Sequence, residues 1–156
     1  MAVEERFRRP AEHEKLLTDL TGKDGPFRAM VDAMMFAAAL GKSKGRRVPF
    51  DKTGEPIRLA LLENRTYGDV LVNLIAAAEV SEDAKILGDD RLKERMLIFE
   101  EYANGGLHYL QGELNASGRR DFVAIVSNLM MDALTTSPAS DEISVSGMLE
   151  KAQLDW

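Results

Sequence analysis

The chain has 156 residues, of which 45% are hydrophobic and 29% are charged, and these proportions are typical of one globular domain. It contains no cysteine, which excludes disulfides, thiolate catalysis and cysteine-ligated zinc. The net charge of −6 excludes DNA binding through the overall electrostatic field, so any nucleic-acid contact has to use a local basic patch.

The sequence carries no recognisable targeting or membrane segment. Its charged N-terminus lacks the apolar core of a signal peptide. The longest apolar run, 33–40, is far shorter than the roughly 20 residues that a membrane span requires. We therefore expect a cytoplasmic protein that does not bind membranes.

The N-terminal residues 1–9 are predicted to form a flexible basic arm. Arg6, Arg8 and Arg9 surround a single phenylalanine there. Pro10 follows and suits the first turn of a helix, where the missing amide proton of a proline is not needed. The folded part of the chain is therefore expected to begin at this proline.

Apolar residues at helical spacing, with proline or glycine between the segments, predict a succession of helices. In chain order the helices cover 11–20, 26–41, 55–64, 67–80, 90–115 and 119–134. For 55–64 the alternative is a pair of strands that flank a turn at 51–54. The predicted fold is all-α, with about five to six helices in a single compact domain over 10–134. A linker and C-terminal tail over 135–156 follow.

Two further predictions concern the end of one helix and the face of another. Gly41 is placed as the C-cap of the second helix, because glycine adopts the left-handed conformation that ends many helices. In the fourth helix, the apolar stripe that we expect to face the core consists of Val70, Leu71, Leu74, Ile75 and Ala78.

The longest predicted helix, 90–115, is the element around which the others are expected to pack. Residues three or four apart share one face of a helix, so two stripes can be read from it. The apolar stripe consists of Leu92, Met96, Phe99, Ala103, Gly106, Leu110 and Leu114. The polar stripe consists of Glu101, Asn104, His108, Gln111 and Asn115.

The unusual feature of this helix is the pair Gly105 and Gly106 in its middle. Each glycine costs roughly 1 kcal/mol against alanine in a helix interior, so a compensating contact or a bend is expected. One interpretation is a packing or bend site. The other is the floor of a groove, with Glu101 and Asn104 at its rim, where a partner protein or a ligand contacts bare main chain. On the second interpretation His108 belongs to the same binding surface.

The most basic segment of the chain is the loop 42–47. Its cations are Lys42, Lys44, Arg46 and Arg47. One interpretation is a solvated connection, and the other is a contact with the phosphate backbone of DNA or with an acidic partner. No aromatic residue interleaves these charges in the sequence, so stacking on bases is not expected.

Motifs for catalysis or metal binding are not found. His13 lies between two glutamates on an expected surface helix, and His108 is the only other histidine. A Glu-x-x-His metal motif would need glutamate at position 10 or 105, where the chain has Pro10 and Gly105. No glycine-rich phosphate loop is present. We therefore expect no metal, no cofactor and no catalytic residue.

Several segments together resemble the family called DNA phosphorothioation (Dnd) system-associated protein 4. The longest matching motif is IFEEYANGGL, at residues 98–107. Shorter matches, in the same order and at the same spacing, lie at 26–27, 36–41, 46–49, 55–57 and 72–74. The resemblance extends from about residue 9 to about residue 134.

The resemblance implies a small bacterial accessory protein of systems that place sulfur in the DNA backbone or restrict DNA that lacks it, in defence against phage. It supplies no catalytic residue set. The expected partners are protein components of this modification and restriction machinery, bound through the surface near Gly105 and Gly106. The alternative function is a module that binds the DNA backbone through the loop 42–47, together with the arginines of the arm. A homo-oligomer is compatible with the sequence.

Overall fold

The computed structural model describes residues 5–118 and 121–135. Two short strands, β1 (Arg6–Phe7) and β2 (Ile57–Arg58), form an antiparallel pair. The α-helices in the described part are α1 (Glu14–Thr21), α2 (Met30–Ser43), α3 (Leu59–Glu63), α4 (Gly68–Glu79), α5 (Leu92–Ser117) and α6 (Phe122–Thr135). Single 3-10 turns lie at Ala11–His13, Ala84–Leu87 and Asp89–Arg91.

The predicted all-α class, the number of helices and the long central helix are confirmed. α5 has 26 residues and is the longest helix of the described part. The chain divides into one unit that ends at Phe122 and another that starts at Val123, and each is described by itself. The domain limits 10–134 and the tail 135–156 stay predictions, because residues from 136 onward lie outside the described part.

The N-terminal segment is anchored to the core by Phe7. This side chain is 1% exposed, and its ring meets that of Phe99 edge to face at 5.7 Å between centroids. In the strand pair, Phe7 lies opposite Ile57. The prediction of a flexible arm over 1–9 is therefore wrong for residues 5–9, because a buried aromatic ring and a strand partner hold them.

The close crossing of α2 and α5 forms the centre of the fold. Small residues four apart, Ala33, Ala37 and Gly41, are buried on α2. A Cβ added at Gly41 would overlap the carbonyl oxygen of Tyr102 on α5. The prediction of Gly41 as a C-cap is wrong: α2 continues to Ser43, and the glycine allows two helix backbones to approach each other.

The segment 55–64 was predicted as a helix or, alternatively, as part of a strand pair, and the structure contains a strand followed by a helix. Its first half is β2, and α3 begins only at Leu59. The partner of β2 is β1 at the N-terminus, not a second strand across the turn 51–54. The predicted strand pair joined neighbours in the sequence. The observed pair joins segments about 50 residues apart, and local sequence patterns do not indicate such a pairing.

The buried face of α4 shares only Ile75 with the predicted stripe. Val72, Ile75 and Ala76 are buried, whereas Leu74 is 63% exposed and Val70 is 44% exposed. Apolar residues surround most of this helix, so periodicity alone could not identify the inward side. The prediction that Val70 and Leu74 belong to the core is wrong.

In the second unit, Val126 of α6 is buried, whereas Met130 is 44% exposed. Across 5–118 and 121–135, no helix combines the length and the apolar character that crossing a bilayer requires.

Candidate functional site

The two central glycines of α5 are buried, and each is contacted by the chain's own backbone. A Cβ added at Gly106 would overlap the carbonyl oxygen of Ala37, on α2. A Cβ added at Gly105 would overlap the carbonyl oxygen of Arg46, which lies just beyond α2. The predicted contact with bare main chain is therefore confirmed. It is made within the molecule, so the packing interpretation accounts for both glycines.

The two polar residues beside these glycines hold the segment 46–48. Asn104 is fully buried, and its side-chain amide donates to the carbonyl of Val48 at 3.1 Å. The amide of Val48 in turn donates to the main-chain carbonyl of Glu101 at 3.0 Å. The carboxylate of Glu101 accepts from the Arg47 guanidinium at 2.8 Å. The expected groove between Glu101 and Asn104 is thus filled by the chain itself, and the partner surface predicted there has to be revised.

Glu79 of α4 joins three side chains from α5 and the basic loop. The hydroxyl of Tyr102 donates a hydrogen bond to its carboxylate. Lys42 Nζ lies 3.7 Å and an Arg47 terminal nitrogen 3.5 Å from the same carboxylate. The Tyr102 hydrogen bond, followed by the charges of Lys42 and Arg47, lowers the pKa of Glu79. Burial, with this hydrogen bond, raises the pKa of Tyr102 to about 12. Two of the four loop cations are therefore paired with a carboxylate of the same chain.

The other two loop cations remain exposed and share an aromatic ring. Lys44 Nζ lies 4.9 Å and the Arg46 guanidinium carbon 5.1 Å from the ring centroid of Tyr109, on α5. Within the described ranges no carboxylate forms an ion pair with Lys44 or Arg46. No aromatic residue interleaves the basic loop in the sequence, but in the fold α5 brings the ring of Tyr109 to it.

Two arginines of the predicted basic arm are held in ion pairs. Arg8 Nε lies 3.1 Å from the Glu100 carboxylate, and the Arg8 guanidinium covers the ring of Phe50 at 4.5 Å. A terminal nitrogen of Arg9 lies 2.7 Å from the Glu14 carboxylate. Burial raises the pKa of Glu100, and the charge of Arg8 opposes that rise. Arg8 and Arg9 therefore help to fix the N-terminal segment and are not free cations.

The outer face of α4 is the most apolar exposed helix surface in the first unit. We use this name for Tyr67, Val70, Leu71, Leu74 and Ala78. Tyr67, at the helix start, is 73% exposed and has a φ of 65°, the left-handed conformation that side chains other than asparagine or aspartate rarely adopt. Sequence reasoning missed this surface because it assigned Val70, Leu71, Leu74 and Ala78 to the core. The available signal was the presence of apolar residues on both sides of the helix.

The two histidines are in contact. His13 is 5% exposed, and its ring lies 4.5 Å from that of His108 at an angle of 89°. Glu12 Oε1 lies 3.1 Å from His108 Nε2 and 3.8 Å from His13 Nε2. Burial, followed by the charge of His108, lowers the pKa of His13, and Glu12 opposes the shift. The prediction of His13 on a surface helix is wrong, and His108 faces Glu12 instead of a groove at the glycines.

One protein family matches almost the whole chain. The family is described as DNA sulphur modification system-associated protein 4, and it matches residues 6–148. No curated protein and no solved structure gives a significant match. The family match includes α5 with its two glycines, the basic loop and α4, so it covers every feature described above. The chain therefore belongs to the DNA sulphur modification system-associated protein 4 family.

Proposed function

We propose that this protein is a non-catalytic accessory component of a bacterial DNA sulphur modification system and binds a protein of that system through the outer face of α4. The observation that supports it is the exposure of Leu74, at 63%, beside Val70 and Tyr67 on one helix. The family name supplies the class of partner. The absence of cysteine and of a phosphate-binding loop from the sequence supports the non-catalytic part.

Physical chemistry favours α4 over the two glycines as the contact surface. Contiguous exposed apolar side chains commonly mark a protein interface, and their burial contributes about 25 cal/mol for each Å² removed from water. Tyrosine is enriched in the buried centre of interfaces. By contrast, Asn104 already donates its side-chain N–H to Val48, and the main chain at Gly105 and Gly106 is covered by residues of the same chain.

Affinity capture from a host that carries the modification system tests the proposal. Wild-type protein is expected to retain a protein encoded with that system, identified by mass spectrometry. Leu74→Glu is expected to lose it, because a charge would enter the apolar centre of the interface. Asn115→Glu adds the same charge at an exposed position near the end of α5 and is expected to retain the partner.

The proposal fails if Leu74→Glu captures the same partner as the wild-type protein. It also fails if the only protein retained is a second copy of this chain. Circular dichroism of both variants checks that each is folded, since Leu74 is exposed and its replacement is not expected to unfold the protein.

A second candidate function is contact with the DNA backbone, and the position of Tyr109 favours it. Lys44 and Arg46 stand over this ring without carboxylate partners in the described ranges, an arrangement compatible with one phosphate contact each and one stacked base. Lys42 and Arg47 contribute less, because Glu79 and Glu101 neutralise them.

Fluorescence anisotropy with single- and double-stranded DNA at several salt concentrations tests this candidate. A plot of the logarithm of the binding constant against the logarithm of the salt concentration is then expected to fall with a slope of about 2 or less, because each phosphate contact contributes about 0.9. Lys44→Ala with Arg46→Ala should abolish that slope. Lys23→Ala with Lys93→Ala removes the same charge from exposed sites and should preserve it. No binding at low salt would eliminate the candidate.

A further inference from the structure

The cluster of Glu12, His13 and His108 is the strongest unassigned feature of the molecule. It joins the 3-10 turn Ala11–His13 to α5. One ligand atom from each of the three side chains lies within 4.8 Å of the others. The protein has only two histidines, and the fold brings both to the same point although they are far apart in the sequence. Neither the family description nor the proposed function accounts for that meeting.

The second observation is an unsatisfied nitrogen. The side chain of His13 is 6% exposed, and its Nε2 has no hydrogen-bond partner. That atom lies 3.8 Å from Glu12 Oε1, beyond hydrogen-bonding distance. Buried polar atoms normally have partners because desolvation without a hydrogen bond is costly. An imidazole that lies beside a second imidazole and a carboxylate, with a ring nitrogen left without a hydrogen bond, is a ready donor for a metal ion.

The spacing fits a tetrahedral ion. Metal–ligand distances of about 2.0–2.1 Å place neighbouring donor atoms about 3.4 Å apart in a tetrahedral zinc site. The observed separations of 3.1 Å and 3.8 Å from the Glu12 oxygen lie on either side of that value. Small side-chain rotations of Glu12 and His108, which are 51% and 39% exposed, would equalise them.

We propose that Glu12, His13 and His108 form a binding site for a divalent transition metal of the zinc type. His13 and His108 each supply a ring nitrogen, and Glu12 supplies a carboxylate oxygen. Water occupies the remaining position, since Glu12 and His108 are open to solvent. Two imidazoles with one carboxylate favour zinc, nickel or copper over magnesium and calcium, which take oxygen ligands. The ion would join the turn before α1 to α5.

Titration of metal-free, tag-free protein with Zn²⁺ tests the site. Isothermal titration calorimetry is expected to give one ion per chain, and NMR should show both histidine rings shifting together. Removing a ligand should weaken Zn²⁺ binding by at least about tenfold, because even the loss of a residue that only hydrogen-bonds to a ligand has an effect of that size. His108→Ala and Glu12→Gln carry this test, because both side chains are partly exposed and the variants should fold.

Glu113→Gln is the matched control. It removes an exposed carboxylate from α5 outside the cluster, and Zn²⁺ affinity should stay at the wild-type value. An excess of Mg²⁺ should not displace the Zn²⁺. Three results would each overturn the site: unchanged histidine resonances on Zn²⁺ addition, wild-type affinity in both ligand variants, or displacement by Mg²⁺.

Discussion

At the residue scale, Glu79 connects three helices through one carboxylate. It lies near the end of α4, accepts from Tyr102 on α5, and pairs with Lys42 on α2. The carboxylate is 24% exposed, so water screens these interactions only in part. Because the folded state lowers the pKa of Glu79, its ionised form stabilises the fold.

Replacement of Glu79 by glutamine is expected to lower the free energy of unfolding at neutral pH by about 1–2 kcal/mol. This is near the low end of the values for hydrogen bonds to charged groups, because water partly screens the carboxylate. The lowered pKa means that this contribution is present above the ordinary carboxyl pKa and is lost as the pH falls through the folded-state value. The difference between wild type and Glu79→Gln should therefore shrink on acidification. Urea denaturation followed by circular dichroism at several pH values measures it.

Glu82→Gln provides the control for this prediction, because it makes the same chemical change at an exposed position. It is expected to change the free energy of unfolding by less than about 0.5 kcal/mol at every pH. A pH-independent loss in Glu79→Gln would contradict the proposed role of its ionised carboxylate.

At the scale of elements, helical spacing predicted α5 well. The apolar stripe assigned from the sequence is buried at Met96, Phe99, Ala103, Leu110 and Leu114. The two glycines were correctly expected to need a contact. Which segment makes that contact could not be predicted, because the carbonyls of Ala37 and Arg46 reach α5 only through the tertiary fold.

Other parts of the fold depend on similar non-local contacts. β1 forms because Phe7 pairs with Ile57 and packs against Phe99. No local pattern in this short basic segment indicates a strand. The histidine cluster was missed for the same reason, since a search for ligands spaced along one helix cannot find His13 beside His108. The outer face of α4 was missed because both sides of that helix are apolar.

The crossing of α2 and α5 gives the element-scale prediction. Gly106→Ala and Gly105→Ala are each expected to destabilise the protein, because the added methyl group overlaps a backbone oxygen that cannot move alone. Overpacking costs about 1–3 kcal/mol, which outweighs the gain of roughly 1 kcal/mol from replacing a helical glycine. Thermal and urea unfolding measure the net change in the free energy of unfolding.

Gly112 provides a control in the same helix. A Cβ added there meets nothing within 4 Å, so Gly112→Ala should raise stability by up to about 1 kcal/mol through helix propensity alone. The packing account requires opposite signs at positions 106 and 112. Stabilisation by Gly106→Ala would mean that α2 does not approach α5 closely in solution.

At the scale of the whole molecule, the motif 98–107 makes its contacts within the first unit, and the outer face of α4 remains exposed. The motif 98–107, the longest stretch in which the sequence resembles the family, packs against α2 and the segment 46–48. These contacts give the motif a role in folding. Among the described residues of the first unit, the outer face of α4 and the two cations over Tyr109 are exposed and available for recognition.

Charge favours a protein partner at the outer face of α4 over DNA at the basic loop. The acidic net charge of −6 disfavours DNA as the main partner, and two of the four loop cations are paired with glutamates. An apolar helix face does not depend on net charge and suits a protein partner. The account therefore depends most on contact between Leu74 and another protein.

The most direct test introduces a photoreactive amino acid at position 74 or, as a control, at position 115, in a host that carries the DNA sulphur modification system. Irradiation and mass spectrometry identify the protein that is attached at each position. We predict a covalent link from position 74 to a protein encoded with that system, and none from position 115. Attachment at position 115 alone, or at neither position while the partner still co-purifies, would contradict the account.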